Sequence, residues 1–336
     1  MMNAAIIGAG AIALGRADGS PLPMIHLESY RALEAQVTLR AVVEPGAERR
    51  AWIAGIFPHL RLYQDMTEMF RHESIQVVSV CLPDTLHDSI LSDLLRQDGV
   101  RGIWCEKPMA MDAAAARAIA KRSWETGIPV QVNFWRRFIP EMVALRGEIA
   151  QRRFGALHAV NGYYADGLIH NGSHLVDLVH FLVGGITPNT LFLEGPRDGS
   201  GDGPITIVGQ VGQGASCVLR AIPRRRYNIF ELELLFEEAR VRVTENGRRL
   251  EYCDDRRDEA FPHLRILETT PRIVYCQWRG AFTRALAELL DAVRMDDVSR
   301  LSSGADSALI GVELLDRAQR LSPGQPVFWI KNNGEL

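Results

Sequence analysis

A glycine-rich turn directly after a short apolar run constrains the fold of this chain most. Residues 4–7 are apolar and lead at once into Gly8-Ala-Gly10-Ala-Ile-Ala13. In this Gly-x-Gly-x-x-Ala pattern the first glycine permits a tight turn from strand to helix, and the second lets the backbone approach a pyrophosphate. The N-terminus of the following helix would then face the phosphates. For this motif alone, a tight turn without a ligand remains the alternative.

The chain after this turn alternates between buried, strand-like runs and amphipathic helices. We predict strands at 38–43, 60–63, 75–81, 102–105 and 130–134, and helices at 24–35, 47–57, 66–72, 85–97 and 112–126. Such alternation is typical of a parallel, doubly wound sheet, and hence of an α/β fold.

The predicted second strand ends in Glu44, an acidic residue placed to accept hydrogen bonds from the hydroxyl groups of an adenosine ribose. A carboxylate there repels a 2′-phosphate, so NAD is favoured over NADP. Arg49 and Arg50 leave NADP open, because a nearby arginine can accommodate that phosphate. Glu44 follows Gly8 at a longer interval than the roughly 20 residues of the compact fingerprint. We attribute the excess to a polar insertion at residues 16–23.

The tripeptide Glu106-Lys107-Pro108 follows the predicted strand 102–105, at the carboxyl edge where open α/β sheets bind ligands. Pro108 disfavours the helical conformation at Lys107 and predicts an extended one. Lys107 is one of only three lysines, although Lys and Arg together number 38. An ammonium group can lose its proton when it is desolvated, whereas a guanidinium group cannot. A surface ion pair between Lys107 and Glu106 is the alternative.

Composition excludes several classes of protein. The hydrophobic fraction of 47% and the charged fraction of 24% are those of a globular protein. A formal net charge of −3 without a basic run argues against a nucleic-acid partner. The five cysteines are scattered, so neither a disulfide framework nor a metal site is predicted. No apolar run approaches the roughly 20 residues of a membrane span, and the start is not a signal peptide. We therefore expect a cytoplasmic protein with no membrane partner.

Five motifs of this chain occur in the order seen in the glucose–fructose oxidoreductase/inositol dehydrogenase family (Gfo/Idh/MocA), which the chain resembles over nearly its whole length. They are the glycine turn at Gly8, the acid Glu44 after the second strand, Leu82-Pro-Asp-Thr-Leu-His87, Glu106-Lys107-Pro108 and Asn133-Phe-Trp-Arg-Arg-Phe138. The resemblance implies a Rossmann domain at residues 1–135. It also implies a second α/β domain at residues 136–336 with a large, mostly antiparallel sheet. Members of this family are mostly NAD(P)-dependent oxidoreductases of sugars, cyclitols and sugar nucleotides.

The second half shows its own patterns. A strand at 156–165, alternating segments between 191 and 252, helices at 138–152, 278–294 and 302–320, and a strand at 326–330 are predicted. The sheet should have one polar and one apolar face. An apolar face that helices do not wholly cover, together with the oligomer contact that the resemblance implies, predicts a homodimer or homotetramer.

The resemblance also implies roles for individual residues. The cofactor would contact Gly8, Gly10, Ala11, Ile12, Glu44, Pro83, His87, Glu106 and Lys107. Lys107 would lie beside the nicotinamide and the substrate hydroxyl, with His174 as the second catalytic residue. Asn171 is a plausible N-cap, which would place His174 in the first turn of a helix. There the helix dipole favours a neutral ring able to accept a proton.

One position departs from the family pattern. The family has an aspartate four residues before the catalytic histidine, whereas this chain has His170. That departure puts an aspartate-assisted mechanism in doubt. We expect His170 and Asn171 to bind a polar or anionic group of the substrate, with Asp177 and Arg136 as further substrate-binding residues. His-Asn-Gly-Ser-His resembles members that accompany surface-polysaccharide and sugar-nucleotide pathways. Capping of the helix start is the alternative role for His170.

The leading hypothesis is hydride transfer between NAD and a secondary hydroxyl or keto group of a sugar, cyclitol or sugar nucleotide. A second hypothesis is an enzyme that uses tightly held NAD for elimination or hydrolysis without net oxidation or reduction. A third, from another class, is a cofactor-sensing regulatory protein on the same fold.

Overall fold

The computed structural model describes residues 1–16, 18–223, 226–322 and 327–328. The chain divides into two compact units. The first comprises residues 1–138 and 279–313, and the second comprises residues 139–278 and 314–336.

A six-stranded parallel sheet forms the centre of the first unit. Its strands are β1 (Met2–Ile7), β2 (Val37–Val43), β3 (Arg61–Tyr63), β4 (Val77–Val80), β5 (Gly102–Cys105) and β6 (Val130–Val132). They are arranged in the order β3-β2-β1-β4-β5-β6. The order reverses between β1 and β4, which is the switch point where doubly wound sheets bind ligands. Strands β4, β5 and β6 are buried along their whole length, as expected for a parallel sheet covered on both faces.

The helices of the first unit connect these strands. They are α1 (Ala11–Leu14), α2 (His26–Ala32), α3 (Ala47–Ile56), α4 (Met66–His72), α5 (His87–Leu94) and α6 (Ala113–Thr126). Local residues set several of their ends. Asp65 and Asp112 cap α4 and α6 by accepting hydrogen bonds from backbone N–H groups, and Gly127 ends α6 at φ 68°. The predicted helix 85–97 is shorter, because a 3₁₀ turn at Asp84–Leu86 precedes α5.

A large mixed sheet forms the centre of the second unit. Its strands are β7 (Leu157–Ala165), β8 (Ile186–Leu193), β9 (Ile205–Val211), β10 (Ala215–Ile222), β11 (Phe230–Phe236), β12 (Ala239–Thr244), β13 (Arg249–Arg257), β14 (Arg265–Leu267), β15 (Arg272–Tyr275) and β16 (Val327–Phe328). All adjacent pairs among them are antiparallel except β7 and β10, which run parallel. The mostly antiparallel second sheet implied by the resemblance is confirmed. Of the predicted strand 326–330, residues 326, 329 and 330 lie outside the described part.

Two helices, α7 (Pro140–Ala150) and α8 (Ser173–Val183), belong to the second unit. Helix α8 packs on one face of its sheet, since a Cβ added to Gly162 on β7 would lie 2.9 Å from Leu175 Cδ2. A side chain at this position of β7 would make the neighbouring side chains of Leu175 and Leu219 shift. Strands β14 and β15 were not expected from the sequence.

Residues 279–313 return to the first unit, although the sequence analysis placed them in the second domain. They contain α9 (Ala281–Met295) and the first part of α10 (Ala305–Gln319). Helix α9 packs against β5, where a Cβ on Gly102 would lie 2.5 Å from Val293 Cγ2. Arg101 also donates a hydrogen bond to Val293 O at 2.9 Å. The sequence shows that α9 has an apolar face, but not which sheet covers that face.

Among the described residues, no helix combines the length and the apolar composition that crossing a membrane requires.

Candidate active site

The glycine turn lies between β1 and α1. Gly8 has φ +91°, and a Cβ there would lie 2.6 Å from Cys81 O, so only glycine fits. Gly10 is the N-cap of α1. The first N–H groups of a helix have no acceptor within the helix, so those of α1 are available to an acceptor outside it. This is the geometry that a pyrophosphate requires.

Glu44 lies beside this turn and bonds to its backbone. Its Oε2 accepts a hydrogen bond from Ala9 N at 3.1 Å, and its Oε1 accepts one from Gly46 N at 2.8 Å. A cavity of about 540 Å³ opens between Glu44 and the turn, lined by Ala9, Gly10, Ala11, Gly15, Arg16, Asp18, Glu44 and Arg49. An open cleft with helix N–H groups at one side and a carboxylate at the other fits the phosphates and the adenosine ribose of a dinucleotide.

The two arginines after β2 hold backbone carbonyl groups. Arg49 donates to Ala9 O at 2.8 Å and to Gly15 O at 3.0 Å, and its guanidinium lies 3.9 Å from the ring centroid of Trp52. Arg50 donates to Glu44 O and to Pro45 O, each at 2.7 Å. These contacts hold part of each guanidinium group against the backbone near the glycine turn.

Glu106, Lys107 and Pro108 leave the carboxyl end of β5, two strands from β1 in the same sheet. Glu106 N donates to Val80 O at 2.9 Å, which ties the start of this loop to β4. The peptide bond between Lys107 and Pro108 is cis. Lys107 is half-buried and Pro108 is buried.

His87 joins two loops at this edge. Its Nδ1 lies 2.7 Å from Pro108 O, its Nε2 lies 2.9 Å from Leu82 O, and the residue is fully buried. Pro83 is exposed beside it. Both ring nitrogens of His87 face backbone carbonyls, so this histidine acts on the cleft by holding the loop after β4 against the loop after β5.

Glu106 is held from the interior. Its Oε1 lies 2.9 Å from His26 Nε2 and accepts a hydrogen bond from Asn133 Nδ2 at 2.6 Å. Burial acts to raise the pKa of Glu106. The hydrogen bond and electrostatic attraction of His26, the hydrogen bond from Asn133 and the positive charge of Lys107 outweigh it, so the pKa is lowered. Glu106 is therefore a carboxylate at neutral pH.

Arg136 lies in the first unit, in a 3₁₀ turn at Trp135–Phe138. It is 8% exposed, and its guanidinium lies 4.3 Å from the ring centroid of Trp135. Its predicted contact with substrate stays a prediction.

The remaining predicted substrate residues lie on one segment of the second unit. A π-helical turn, Leu168–Gly172, runs directly into α8. His170 is exposed, Asn171 and His174 are half-buried, and Asp177 is buried. His174 does lie in the first turn of α8. The prediction that Asn171 is the N-cap is wrong, because that residue lies inside the π turn and its Nδ2 donates to Ala165 O at 2.9 Å.

Asp202 shapes this segment from the loop before β9. It is 3% exposed, and its carboxylate accepts hydrogen bonds from Ile169 N at 2.8 Å and from His170 N at 3.1 Å. A Cβ on Gly167 would overlap the carboxyl group of Asp202. Asp202 therefore does for the π turn what an N-cap does for a helix: it satisfies the first free N–H groups.

With this geometry described, comparison with known proteins identifies the N-terminal part of the chain. Residues 2–134 match the model of the Gfo/Idh/MocA family, described as "Oxidoreductase family, NAD-binding Rossmann fold". Residues 2–134 belong to this family. The resemblance inferred from the motifs is thereby confirmed, as is the expectation of an NAD-binding Rossmann fold.

Two curated relatives support the family. The chain is 28% identical over 155 residues to the rhizopine catabolism protein MocA of Rhizobium meliloti, a match that covers 46% of this chain and 47% of that protein. It is 32% identical over 174 residues to inositol 2-dehydrogenase of Mycolicibacterium smegmatis, covering 47% and 48% respectively. The chain thus spans about half the length of the curated relatives that it matches.

The fold as a whole is also similar to that of a solved oxidoreductase. An NAD-binding oxidoreductase from Klebsiella pneumoniae superposes with a TM-score of 0.77 at 17% identity, covering 98% of this chain and 99% of that one. At this identity the likeness shows the fold alone. It extends across both units of the chain.

Three residues that shape the site were not predicted from the sequence, namely His26, Ser79 and Asp202. The partners of His26 and Asp202 lie 80 and 32 residues away in the chain, so no local pattern marks them. His26 itself stands among apolar residues just after the insertion 16–23, and this is the sequence feature that could have drawn attention to it.

Proposed function

We propose that this chain is a dehydrogenase that transfers hydride between NAD and a secondary hydroxyl or keto group of a sugar-like substrate. One observation carries the proposal: the glycine turn with Glu44 and the Glu106-Lys107-Pro108 loop lie at the carboxyl edge of the same parallel sheet. The first fits a dinucleotide, and the second supplies an ammonium group where its reactive end is expected. The curated relatives named as dehydrogenases support the same reaction class.

The proposed cofactor is NAD rather than NADP. Glu44 faces the cleft with a carboxylate, and a carboxylate repels a 2′-phosphate. Arg49 uses its Nε and Nη2, and Arg50 its Nη1, to hold backbone carbonyls near the turn. We expect Glu44→Ala to lower the ratio of kcat/KM with NAD to kcat/KM with NADP.

Each candidate residue has a separate role in the proposed reaction. Lys107 presents positive charge to the substrate oxygen and favours a developing alkoxide. His174 accepts the proton of the hydroxyl group, because its place in the first turn of α8 favours a neutral imidazole. His170 and Asn171 bind a polar or anionic group of the substrate, with Asp177 and Arg136 as further contacts. When bound, NAD supplies the hydride acceptor.

The test compares Lys107→Met with the parent protein over a panel of cyclitols, sugars and sugar nucleotides. We expect Lys107→Met to bind NAD with an unchanged Kd, measured by tryptophan fluorescence, and to lose most of its turnover, measured as absorbance at 340 nm. Lys121→Met, on the exposed face of α6, is the matched control. Retained turnover in Lys107→Met would contradict the role of Lys107. Substrate consumption with flat absorbance would favour an enzyme without net redox change instead.

A further inference from the structure

A chain of hydrogen bonds runs through the interior of the first unit and ends at the loop that carries Lys107. Tyr30 Oη lies 2.7 Å from Ser79 Oγ, which lies 3.1 Å from His26 Nδ1. His26 Nε2 in turn lies 2.9 Å from Glu106 Oε1. His26 and Ser79 are fully buried, and Tyr30 is 2% exposed. These hydrogen bonds thus link α2 and β4 to Glu106, the residue that precedes Lys107.

The donor at one end of this hydrogen-bond series follows from its acceptor. Glu106 is a carboxylate and only accepts, so His26 Nε2 carries a hydrogen and donates it. Ser79 Oγ lies within hydrogen-bond distance of both His26 Nδ1 and Tyr30 Oη, and its hydroxyl can turn to suit either neighbour. This arrangement satisfies both ring nitrogens without burying an unpaired group.

The ring of His26 has little freedom to move. Its centroid lies 3.8 Å from that of Trp104, with the ring planes tilted by 38°, and Phe282 of α9 contacts it edge-on at 5.6 Å. Asn133 Nδ2 donates to the same oxygen of Glu106. Oε1 of Glu106 is therefore held by two buried partners, His26 and Asn133, while the Glu106 side chain is 15% exposed to solvent.

Glu106 is the carboxylate that directly precedes Lys107 in the chain. The thiols of Cys81 and Cys105 pack around it, but burial, followed by the charge of Glu106, raises their pKa values well above the ordinary range. They remain neutral at physiological pH. The positive charge of Lys107 helps to lower the pKa of Glu106, and by the same coupling the carboxylate favours the ammonium form of the lysine.

We propose that His26 is a positioning residue, which orients Glu106 so that its carboxylate holds Lys107 as a charged hydrogen-bond donor in the candidate active site. The inference deepens the proposed function and rests on it for the role of Lys107 in turnover. It assigns the proton transfer to His174, because a lysine held as an ammonium cannot accept a proton.

The test uses the scarcity of lysine in this chain. Labelling with ¹³Cε-lysine gives signals from only three lysines, and Lys107→Arg identifies that of Lys107. Lys121, exposed on α6 and paired with Glu125 at 3.6 Å, serves as the internal reference. We expect Glu106→Gln to move the titration midpoint of the Lys107 signal to lower pH, and His26→Leu to move it the same way by roughly 0.5–1 pH unit. His26→Gln keeps a donor toward Glu106 and should shift it less.

The matched control is His59→Gln, at an exposed histidine of the same unit, which should leave the Lys107 signal in place. If His26→Leu does not fold, as judged by circular dichroism, Ser79→Ala takes its place, because loss of that hydroxyl frees His26 Nδ1. An unshifted Lys107 signal in the folded variant would overturn the proposal.

Activity provides a second readout. We expect His26→Leu to lower kcat about fivefold to tenfold while the Kd for NAD stays within twofold, since the glycine turn is untouched. The lysine signals need no turnover to be measured. If the parent protein had no dehydrogenase activity, the proposed function would be contradicted. The titration of Lys107 would still decide the role of His26.

Discussion

At the scale of single residues, the two histidines at the start of α8 allow the clearest separation of roles. His174 is half-buried in the first helical turn, whereas His170 is exposed in the preceding π turn. We expect His170→Ala to raise KM for the substrate with little change in kcat, and His174→Ala to lower kcat by 10²-fold or more, as roughly expected for loss of a general base. Steady-state kinetics on both variants checks this. An equal collapse of kcat in both would return His170 to the proton-transfer step.

Glu106 supports a prediction about stability and pH. Its pKa is lowered from an ordinary value of 4.5, so its ionised form favours the folded state. That stabilisation is fully present above pH 4.5 and is lost as the pH falls through the lowered pKa. The free energy of unfolding of Glu106→Gln should therefore lie below that of the parent at pH 7, with a gap that narrows under acid. Urea titrations between pH 3 and pH 7 measure this, and a gap independent of pH would contradict it.

At the scale of elements, the loop before β9 controls the substrate segment. Asp202 accepts the N–H groups of Ile169 and His170, and its backbone neighbour Gly203 accepts from Leu168 N at 3.0 Å. Asp202→Asn keeps the shape but removes the charge and turns one oxygen into a donor. A buried N–H left unpaired costs about 1–3 kcal/mol.

We therefore expect Asp202→Asn to lower kcat/KM for the substrate at least tenfold and to leave the Kd for NAD unchanged, because the glycine turn belongs to the other unit. Gly167→Ala should act in the same direction, since the new methyl group would displace Asp202. Asp254→Asn, at an exposed position of β13, is the control. If Asp202→Asn weakened NAD binding as much as substrate turnover, its effect would lie outside the substrate segment.

At the scale of the whole molecule, the second sheet bears on oligomer formation. The sequence predicts an apolar face that helices do not wholly cover, and α8 packs on that face, where a Cβ on Gly162 would lie 2.9 Å from Leu175 Cδ2. The opposite face mixes charges with aromatic surface. It includes Glu231 and Glu233 on β11, Arg242 on β12, and Tyr163, which is 40% exposed.

A homodimer or homotetramer through this face remains our prediction, because carboxylates and guanidinium groups side by side allow a second copy to pair with the first. Sedimentation velocity at micromolar concentration should show a dimer or larger species, and Tyr163→Glu should shift it toward the monomer. A parent protein that sediments only as a monomer would contradict the prediction.

Much of the first unit was predictable because its determinants are local. Alternating buried strands and amphipathic helices indicated a parallel sheet, and the glycine turn indicated where its first strand ends. The position of Glu106, Lys107 and Pro108 was also predictable, because residues that follow parallel strands meet at one edge of the sheet. The π turn before α8 was not predictable, because a buried carboxylate 32 residues away stabilises it.

The sequence by itself therefore determined which residues could form strands, turns and a charged loop, since these depend on neighbours in the chain. Only the tertiary structure decided which elements share a core. It placed α9 in the first unit, joined His26 to Glu106 across 80 residues, and brought donors of Arg49 and Arg50 to backbone carbonyls. The physical reason is that hydrogen bonds and buried contacts between distant segments depend on distances in space, which the order of residues does not state.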